Sequence, residues 1–500
     1  MLVRQLLIED AQKFGSKPAI VFRDNPISFE QLKTNVFKLA SGLKELGVKK
    51  GTKVAIYLPN WPEYIYSYLA VFCLGAVGVP LDLMLKEEEL VSCLSHCEAD
   101  FLIAVSKEEV SLSKIKQNVG SLKNIILISE PQDVMLSFNE IFRKGADNLL
   151  EAQIKETDPS LIMYTSGTTG RPKGILLNYR HLDGSPKAME HFVDLTERDI
   201  KLSALPLSHI GGLIYIQNCI CFGITLVLME RFIPLEFIRN IEKYKVTCFH
   251  IVPSMYLAIL ALKEMEKFDL TSLRWAVVFG APSSPEALKR FHQYCPNAHL
   301  LNGWGLTETC PPNTVIPLGS NRLESVGKPA PWVEIKILDE NNKGLPVGAI
   351  GEIAIRGWVV MDGYYKDEEA TKEVIHQGWF HTGDLGRFDN DGFLYIMGRK
   401  KEMFKVGGQI VYAPEVEAAI LKNEKVLEVA IIGIPDKLRG EAVKAFVSLK
   451  PNQSLSAEDL RYFCKEHLAH FKVPHEIEFR DNLPKNRTGK IDKELLKEGE

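Results

Sequence analysis

Over roughly its first three hundred residues the chain alternates between two hydrophobic periods, and this restricts the fold more than any other feature. SFEQLKTNVFKLASGLKELG (28–47) repeats apolar residues at helical spacing, and KVAIYL (53–58) is an apolar run of strand length. The same exchange recurs in FIRNIEKYKV and TCFHIV, then in LRWAVVFG and PEALKRFHQYC. Strands separated by helices, and apolar enough to be covered on both faces, predict an α/β region: a mainly parallel sheet with helices on both sides. Two longer apolar runs fit this pattern. Ile210 to Met229 carries no charge and is about long enough to cross a bilayer. Gly211, Gly212, Gln217, Asn218 and Gly223 interrupt it, so the expected reading is a buried helix, a turn at Gly223 and a buried strand. Ser67 to Leu85 breaks in the same way at Gly75, Gly78 and Pro80, and no transmembrane span is expected.

From Val333 to about Tyr395 the pattern changes to short strands and turns (VEIKILDENNKG, GEIAIRG, GRFDNDGFLYIMG), which predicts a β-rich subdomain. After Arg399, Lys400 and Lys401 it restarts as helix, strand, strand, helix, a small α+β domain. The expected domains are therefore 1–400 and 401–500. A chain of 500 residues exceeds what one core usually holds, about 250–300 residues. A net charge of −4 gives no bulk attraction to nucleic acid or to an anionic membrane. Peripheral membrane contact and homo-oligomer formation stay open. The N-terminal stretch lacks the apolar core of a secretory signal, and LLKEGE at the C-terminus carries no lipidation or organelle address. Cys93 and Cys97 could share a helix face, and Cys219 and Cys221 one strand or bend. No further pair completes a zinc site, so reduced thiols in a cytoplasmic protein are expected.

The strongest chemical signal is Tyr164-Thr-Ser-Gly-Thr-Thr-Gly-Arg-Pro-Lys-Gly174. Small residues let backbone N–H groups approach phosphate oxygens, hydroxyls add donors and Lys173 adds charge. Pro172, and Gly174 after the lysine, exclude a Walker A loop. GILLN follows as a strand, so the segment is read as a phosphate loop between two strands rather than a plain polar hairpin.

TSGTTGRPKG resembles the signature of the adenylate-forming superfamily, which holds acyl-CoA synthetases, adenylation domains and beetle luciferases. The likeness continues in order through ALPLSHIGGL (204–213), FGAPSSP (279–285), NGWGLTET (302–309), GEIAIRG (351–357), FHTGDLG (380–386), GRKKEMFKVGGQIVYAPEVE (398–417) and PKNRTGKIDK (484–493). Eight ordered segments span nearly the whole chain. The resemblance implies a large N-terminal domain of α/β subdomains with a β-rich part, a small mobile C-terminal domain, and ATP, Mg2+ and coenzyme A as reaction partners.

Roles follow by matching position. Thr165, Ser166, Gly167, Thr168, Thr169, Gly170 and Lys173 would cradle phosphate. Gly280, Ala281 and Pro282 would lie along adenine, with Asn302, Gly303, Trp304, Gly305 and Thr307 in the next nucleotide segment. Glu308 would hold Mg2+ with Thr165 as a second ligand, since ATP chemistry needs hard oxygen donors. Asp384, in a TGDL turn, would accept the ribose hydroxyls, and Arg399 would contact the nucleotide. Lys490 would neutralise charge as a carboxylate attacks the α-phosphorus, the main task when both reactants are anions. The small domain would then turn about Lys401, withdraw Lys490 and bring Gly408 to the pantetheine path. His209, Gly211, Gly212, His250 and Trp304 would border the acyl pocket. Trp304 departs from the family's usual tyrosine. It can stack on adenine but is bulkier toward that pocket.

The implied activity is an acid–thiol ligation: carboxylic acid, ATP and CoA give acyl-CoA, AMP and diphosphate through an acyl-adenylate, with a fatty or aromatic acid favoured. PLSHIGGL offers no aspartate for a substrate ammonium, which argues against amino acids. Loading of a carrier protein remains an alternative, and a luciferase-type oxygenase a weaker one.

Overall fold

The computed structural model describes residues 2–128, 135–149, 152–165, 173–280, 285–485 and 491–497. The chain divides into two compact units: Met1–Leu323, Gly327–Glu334 and Arg356–Gly378 in the first, and Glu324–Val326, Ile335–Ile355 and Trp379–Glu500 in the second.

In the first unit the α/β alternation resolves into two sheets rather than one. The larger runs in the order Lys328–Pro329, Thr314–Val315, His299–Trp304, Trp275–Val278, Cys248–Ile251, Ile200–Ser203, Thr225–Leu228, Pro18–Phe22, Asn25–Ser28. Its central strands are parallel, with Ile200–Ser203 between Thr225–Leu228 and Cys248–Ile251. The N-terminal strand joins parallel to Thr225–Leu228, placing Ile20 opposite Leu226. Periodicity marks a segment as a buried strand but does not say which distant strand it will pair with. One face of this sheet (Leu202, Phe249, Ile251, Ala276, Val278) packs on Phe237, Ile238, Ile241 and Ile259. The other face receives the helix Ile210–Phe222.

That helix accounts for the long apolar run. It ends at Gly223, whose φ of +66° is left-handed, and the strand Thr225–Leu228 follows. A side chain at Gly223 would also strike the Phe14 ring, so glycine fits on both counts. Cys219 and Cys221 therefore lie in a helix, not on the strand or bend expected for them. The helix keeps its register through both cysteines because Gly223 is the first residue to leave it. Cys93 and Cys97 are buried in the helix Glu87–Cys97, and all nine cysteines are free thiols. Among the described residues, no helix is long and apolar enough to cross a membrane.

The smaller sheet runs Gly363–Tyr364, Lys173–Asn178, Pro159–Thr165, Val77–Pro80, Lys53–Tyr57, Phe101–Ala104, Asn124–Leu127, Leu136–Ser137. Pro159–Thr165 and Lys173–Asn178 form an antiparallel hairpin with Thr165 opposite Lys173. The glycine- and hydroxyl-rich segment thus connects two strands, as its sequence indicates.

In the second unit, Gly351–Arg356, Trp379–Phe388 and Leu394–Arg399 pair antiparallel in turn. A further sheet has Gly440–Leu449 antiparallel to Val426–Asp436 and parallel to Glu476–Phe479. Helices Ala413–Ile420 and Ala457–His467 cover it through Val416, Ile420, Leu460 and Cys464. Lys493 lies largely buried between Glu417 at 2.7 Å and Glu402 at 3.5 Å. Burial pushes its ammonium pKa down, but the two carboxylates outweigh this and hold it above the usual value.

Candidate active site

Parallel α/β sheets bind ligands at the carboxyl ends of their strands, and Gly280 and Asn302–Trp304, read from the sequence as nucleotide residues, lie at such ends of the larger sheet. Gly280 follows the strand Trp275–Val278 with a φ of +88°, where a side chain would be strained. Asn302, Gly303 and Trp304 complete the strand His299–Trp304, and all three are buried. A side chain at Gly303 would run into the Phe279 ring. At Gly305 it would come within 2.6 Å of Pro311 Cβ and 2.7 Å of Asn313 Oδ1. These glycines keep the backbone close-packed beneath the strand ends. The buried Asn302 Oδ1 has no hydrogen-bond partner among the described residues. An orphaned buried acceptor costs about 1–3 kcal/mol, and an N–H donor on a bound molecule, such as the adenine amino group of ATP, fits that need.

Thr307, Glu308 and Thr309 form one short 3-10 turn. Leu306 N donates to Thr309 Oγ1 at 3.1 Å, and Asn313 Nδ2 donates to Thr309 O at 2.7 Å. This fixes the backbone on either side of Glu308. Tyr364, which the sequence reading passed over, meets two of the predicted residues. Its hydroxyl donates to Glu308 Oε1 at 3.4 Å, and Lys173 Nζ lies 5.0 Å from its ring centroid. Burial, and then the Glu308 charge, raise the Tyr364 pKa, so the phenol stays protonated. A carboxylate of this kind is a suitable hard-oxygen ligand for Mg2+.

His209 stands at the N-terminus of the helix Ile210–Phe222, where its carbonyl accepts from Gly212 N and Leu213 N at 2.9 and 3.1 Å. Its Nε2 lies 2.8 Å from Asp82 Oδ2. Asp82 follows the strand Val77–Pro80, so the contact joins the carboxyl ends of both sheets. Asp82 was not singled out in the sequence, because a lone aspartate after a strand carries no periodic signal. Gly212 packs where a side chain would meet the backbone of Pro206 and Leu207. His250 is fully buried, its Nε2 2.9 Å from Gly211 O and its ring stacked on Tyr215 at 3.9 Å. Burial, then the Lys201 ammonium, hold His250 well below the ordinary histidine pKa, so it is neutral. Lys201 is itself fully buried and donates to Asn218 Oδ1 at 2.6 Å, and burial lowers its pKa to about 8. His250, Tyr215 and the Gly211 carbonyl thus pack together at the start of the helix Ile210–Phe222.

The second unit holds the other predicted residues. Asp384 lies within the strand Trp379–Phe388, not in a turn. Gly383 has a φ of +69° and the register shifts at Leu385/Gly386, so a kinked strand produces the turn-like TGDL sequence. Asp384 sits opposite Arg399 across the ladder, and Arg399 Nε donates to Asp384 Oδ1 at 3.0 Å. Glu352, in the GEIAIRG segment, organises this region. It accepts from Gly383 N at 3.2 Å and Lys400 Nζ at 3.0 Å, and lies 3.3 Å from His381 Nδ1. Burial pushes the Glu352 pKa up, but the bonds from Lys400 and His381 outweigh it and hold the carboxyl below its usual value. The sequence placed this box in the family but gave Glu352 no task. Gly407 and Gly408 form a two-residue hairpin turn between Met403–Val406 and Gln409–Tyr412, with φ of +59° and +81°. A side chain at Gly408 would meet nothing within 4 Å.

Ser166, Gly167, Thr168, Thr169, Gly170, Ala281, Pro282 and Lys490 lie outside the described residues, as does the side chain of Thr165.

The model of the AMP-binding enzyme family matches residues 7–365, and that of the AMP-binding enzyme C-terminal domain matches 415–490. The chain belongs to the AMP-binding enzyme family. It is 32% identical to the long-chain-fatty-acid–CoA ligase of Bacillus subtilis (strain 168), over 100% of this chain and 94% of that protein. An AMP-binding enzyme of known structure, the anthranilate CoA ligase AuaEII in complex with anthranoyl-AMP, superposes with a TM-score of 0.93. It is 29% identical, with 100% of this chain and 97% of that one covered. The O-succinylbenzoate coenzyme A synthetase of Bacillus subtilis, in complex with ATP and magnesium ion, gives a TM-score of 0.86. It is 30% identical, covering 98% of this chain and 99% of that one. The adenylate-forming resemblance and the mixed α/β fold expected from the motifs both hold.

Proposed function

We propose that this protein is an AMP-forming acyl-CoA synthetase acting on a fatty or aromatic carboxylic acid. The observation that carries the reading is the gathering of Lys173 and Glu308 around Tyr364 in a chain of this family. In the first half-reaction a carboxylate oxygen bonds to the α-phosphorus of ATP, and the bond to diphosphate breaks. In the second, the CoA sulfur bonds to the acyl carbon and AMP leaves. The nucleophile arrives already ionised, so the protein's task is positioning and charge neutralisation.

Lys173 and the loop before it bind phosphate, Asn302 and Gly280 border adenine, and Asp384 with Arg399 takes the ribose and phosphate. Glu308 and Thr165 would hold Mg2+, which neutralises triphosphate charge when bound. His209, held by Asp82, and the His250–Tyr215 pair border the acyl group. Lys490 serves adenylation, and a turn of the C-terminal part about Lys401 brings Gly408 to the CoA thiol. The similarity to a long-chain-fatty-acid–CoA ligase and to an anthranilate CoA ligase supports an apolar or aryl acid. The nine free thiols support a reducing, cytoplasmic setting.

A panel of benzoate, anthranilate, 2-succinylbenzoate, dodecanoate and hexadecanoate tests the reading, scored for AMP and for thioester. At least one acid is expected to give both in equal amounts with free CoA. AMP without thioester would point to a carrier protein as acceptor. Neither product from any acid would sink the proposal.

A further inference from the structure

We propose that Tyr364 is a positioning residue that sets the phosphate-binding lysine and the metal-binding carboxylate as one body, its ring facing Lys173 and its hydroxyl holding Glu308. The inference rests on the ligase reading and goes one step deeper.

Lys173 and Glu308 come from different sheets of the first unit, more than a hundred residues apart in sequence. Lys173 opens a strand of the smaller sheet, while Glu308 follows the last parallel strand of the larger one. Something must fix their separation to within a fraction of an ångström if both are to meet one triphosphate. The segment 361–365 is stitched to both. Gly363 and Tyr364 pair antiparallel with Leu176 and Ile175, and Tyr365 N donates to Gly174 O at 2.6 Å. Asn178 Nδ2 lies 3.0 Å from both Asp362 carboxylate oxygens. On the other side Met361 N donates to Glu308 O at 2.7 Å. Tyr364 N is anchored by Thr371 Oγ1 at 2.9 Å. The side chain of Tyr364 then touches both functional groups from this fixed base.

The chemistry of the residue suits the task. A lysine and a glutamate that met directly would pair with each other and withdraw both charges from the ligand. A tyrosine ring attracts an ammonium through its quadrupole without neutralising it. Its neutral hydroxyl holds the carboxylate through one oxygen without cancelling its charge. One rigid side chain with two χ angles therefore contacts two opposite charges without neutralising either.

Two variants separate these functions. Tyr364→Phe keeps the ring and removes the hydroxyl, and Tyr364→Leu removes both. Calorimetric titration of the full chain with ATP, across a series of Mg2+ concentrations, is the readout. For Tyr364→Phe the Mg2+ concentration giving half-maximal enhancement of ATP binding is expected to rise about five- to tenfold. Its metal-free ATP affinity should stay within twofold of wild type. Tyr364→Leu is expected to weaken metal-free ATP binding as well, by about threefold or more. The melting temperature of Tyr364→Phe, read in parallel, is expected to match wild type. An unchanged Mg2+ response in Tyr364→Phe would overturn the proposal. So would an equal loss of metal-free binding in both variants, which would make Tyr364 a packing residue. Failure of the wild-type chain to bind ATP would instead sink the ligase reading itself.

Discussion

Lys490→Ala is expected to lose acid-dependent diphosphate release by about 10²–10³-fold and to keep thioester formation from preformed acyl-adenylate and CoA near the wild-type rate. The reason is electrostatic. Two anions meet when a carboxylate approaches the α-phosphate, and a lysine delivered at that moment lowers the barrier only for that step. In the thioester step the attacking group is sulfur, the leaving group is AMP, and the proposed turn of the small domain would have withdrawn Lys490. Gly408→Leu is expected to show the opposite split, with diphosphate release kept and thioester formation blocked. Gly408 has a φ of +81°, so part of any effect of leucine would be backbone strain. Gly408→Asn provides the control, because asparagine tolerates the left-handed region with a smaller side chain. It should fall between wild type and Gly408→Leu. Equal loss of both half-reactions in Lys490→Ala and Gly408→Leu would contradict the two-conformation scheme.

Asp384→Ala is expected to weaken ATP binding by about two to four orders of magnitude without unfolding the protein. A carboxylate that accepts two hydroxyls makes two hydrogen bonds to a charged acceptor, each contributing about 1.5–3 kcal/mol. Calorimetry with ATP measures the loss directly, and an affinity within threefold of wild type would contradict the role. The fold should survive because the partner left behind, Arg399, is nearly half exposed and can hydrate. Glu352 and Thr382 still hold the strand, through Gly383 N to Glu352 Oε1 and Thr382 Oγ1 to Ile353 O. Asp384→Asn should recover part of the affinity, since one oxygen acceptor remains.

Much of the architecture was legible because apolar periodicity is a local property. The helix–turn–strand reading of Ile210 to Met229 needed only the position of Gly223. Which strands become neighbours is not local. The pairing of Ile20 with Leu226, and the division into two sheets, left no mark in the pattern. The TGDL segment misled for a related reason. A left-handed Gly383 inside a kinked strand has the same composition as a turn. The residues assigned to chemistry stand out in the sequence because hydroxyls, glycines and a lysine are unusual company in one loop, and because the motif order matches a family. The residues that hold them in place were not found. Asp82 beside His209, Glu352 beneath the Gly383 backbone and Tyr364 between Lys173 and Glu308 act through contacts across 31 to 191 positions, which no short motif records.

The central claim is that the acid is activated by direct attachment to AMP. A carboxylic acid from the panel, labelled with heavy oxygen in both carboxylate positions, is converted with ATP and CoA, and the AMP is analysed by mass spectrometry. Attack of the carboxylate on the α-phosphorus, followed by thiol attack on the acyl carbon, leaves one labelled oxygen in each AMP formed. AMP free of label, with the heavy oxygen found in diphosphate or inorganic phosphate, would contradict the account.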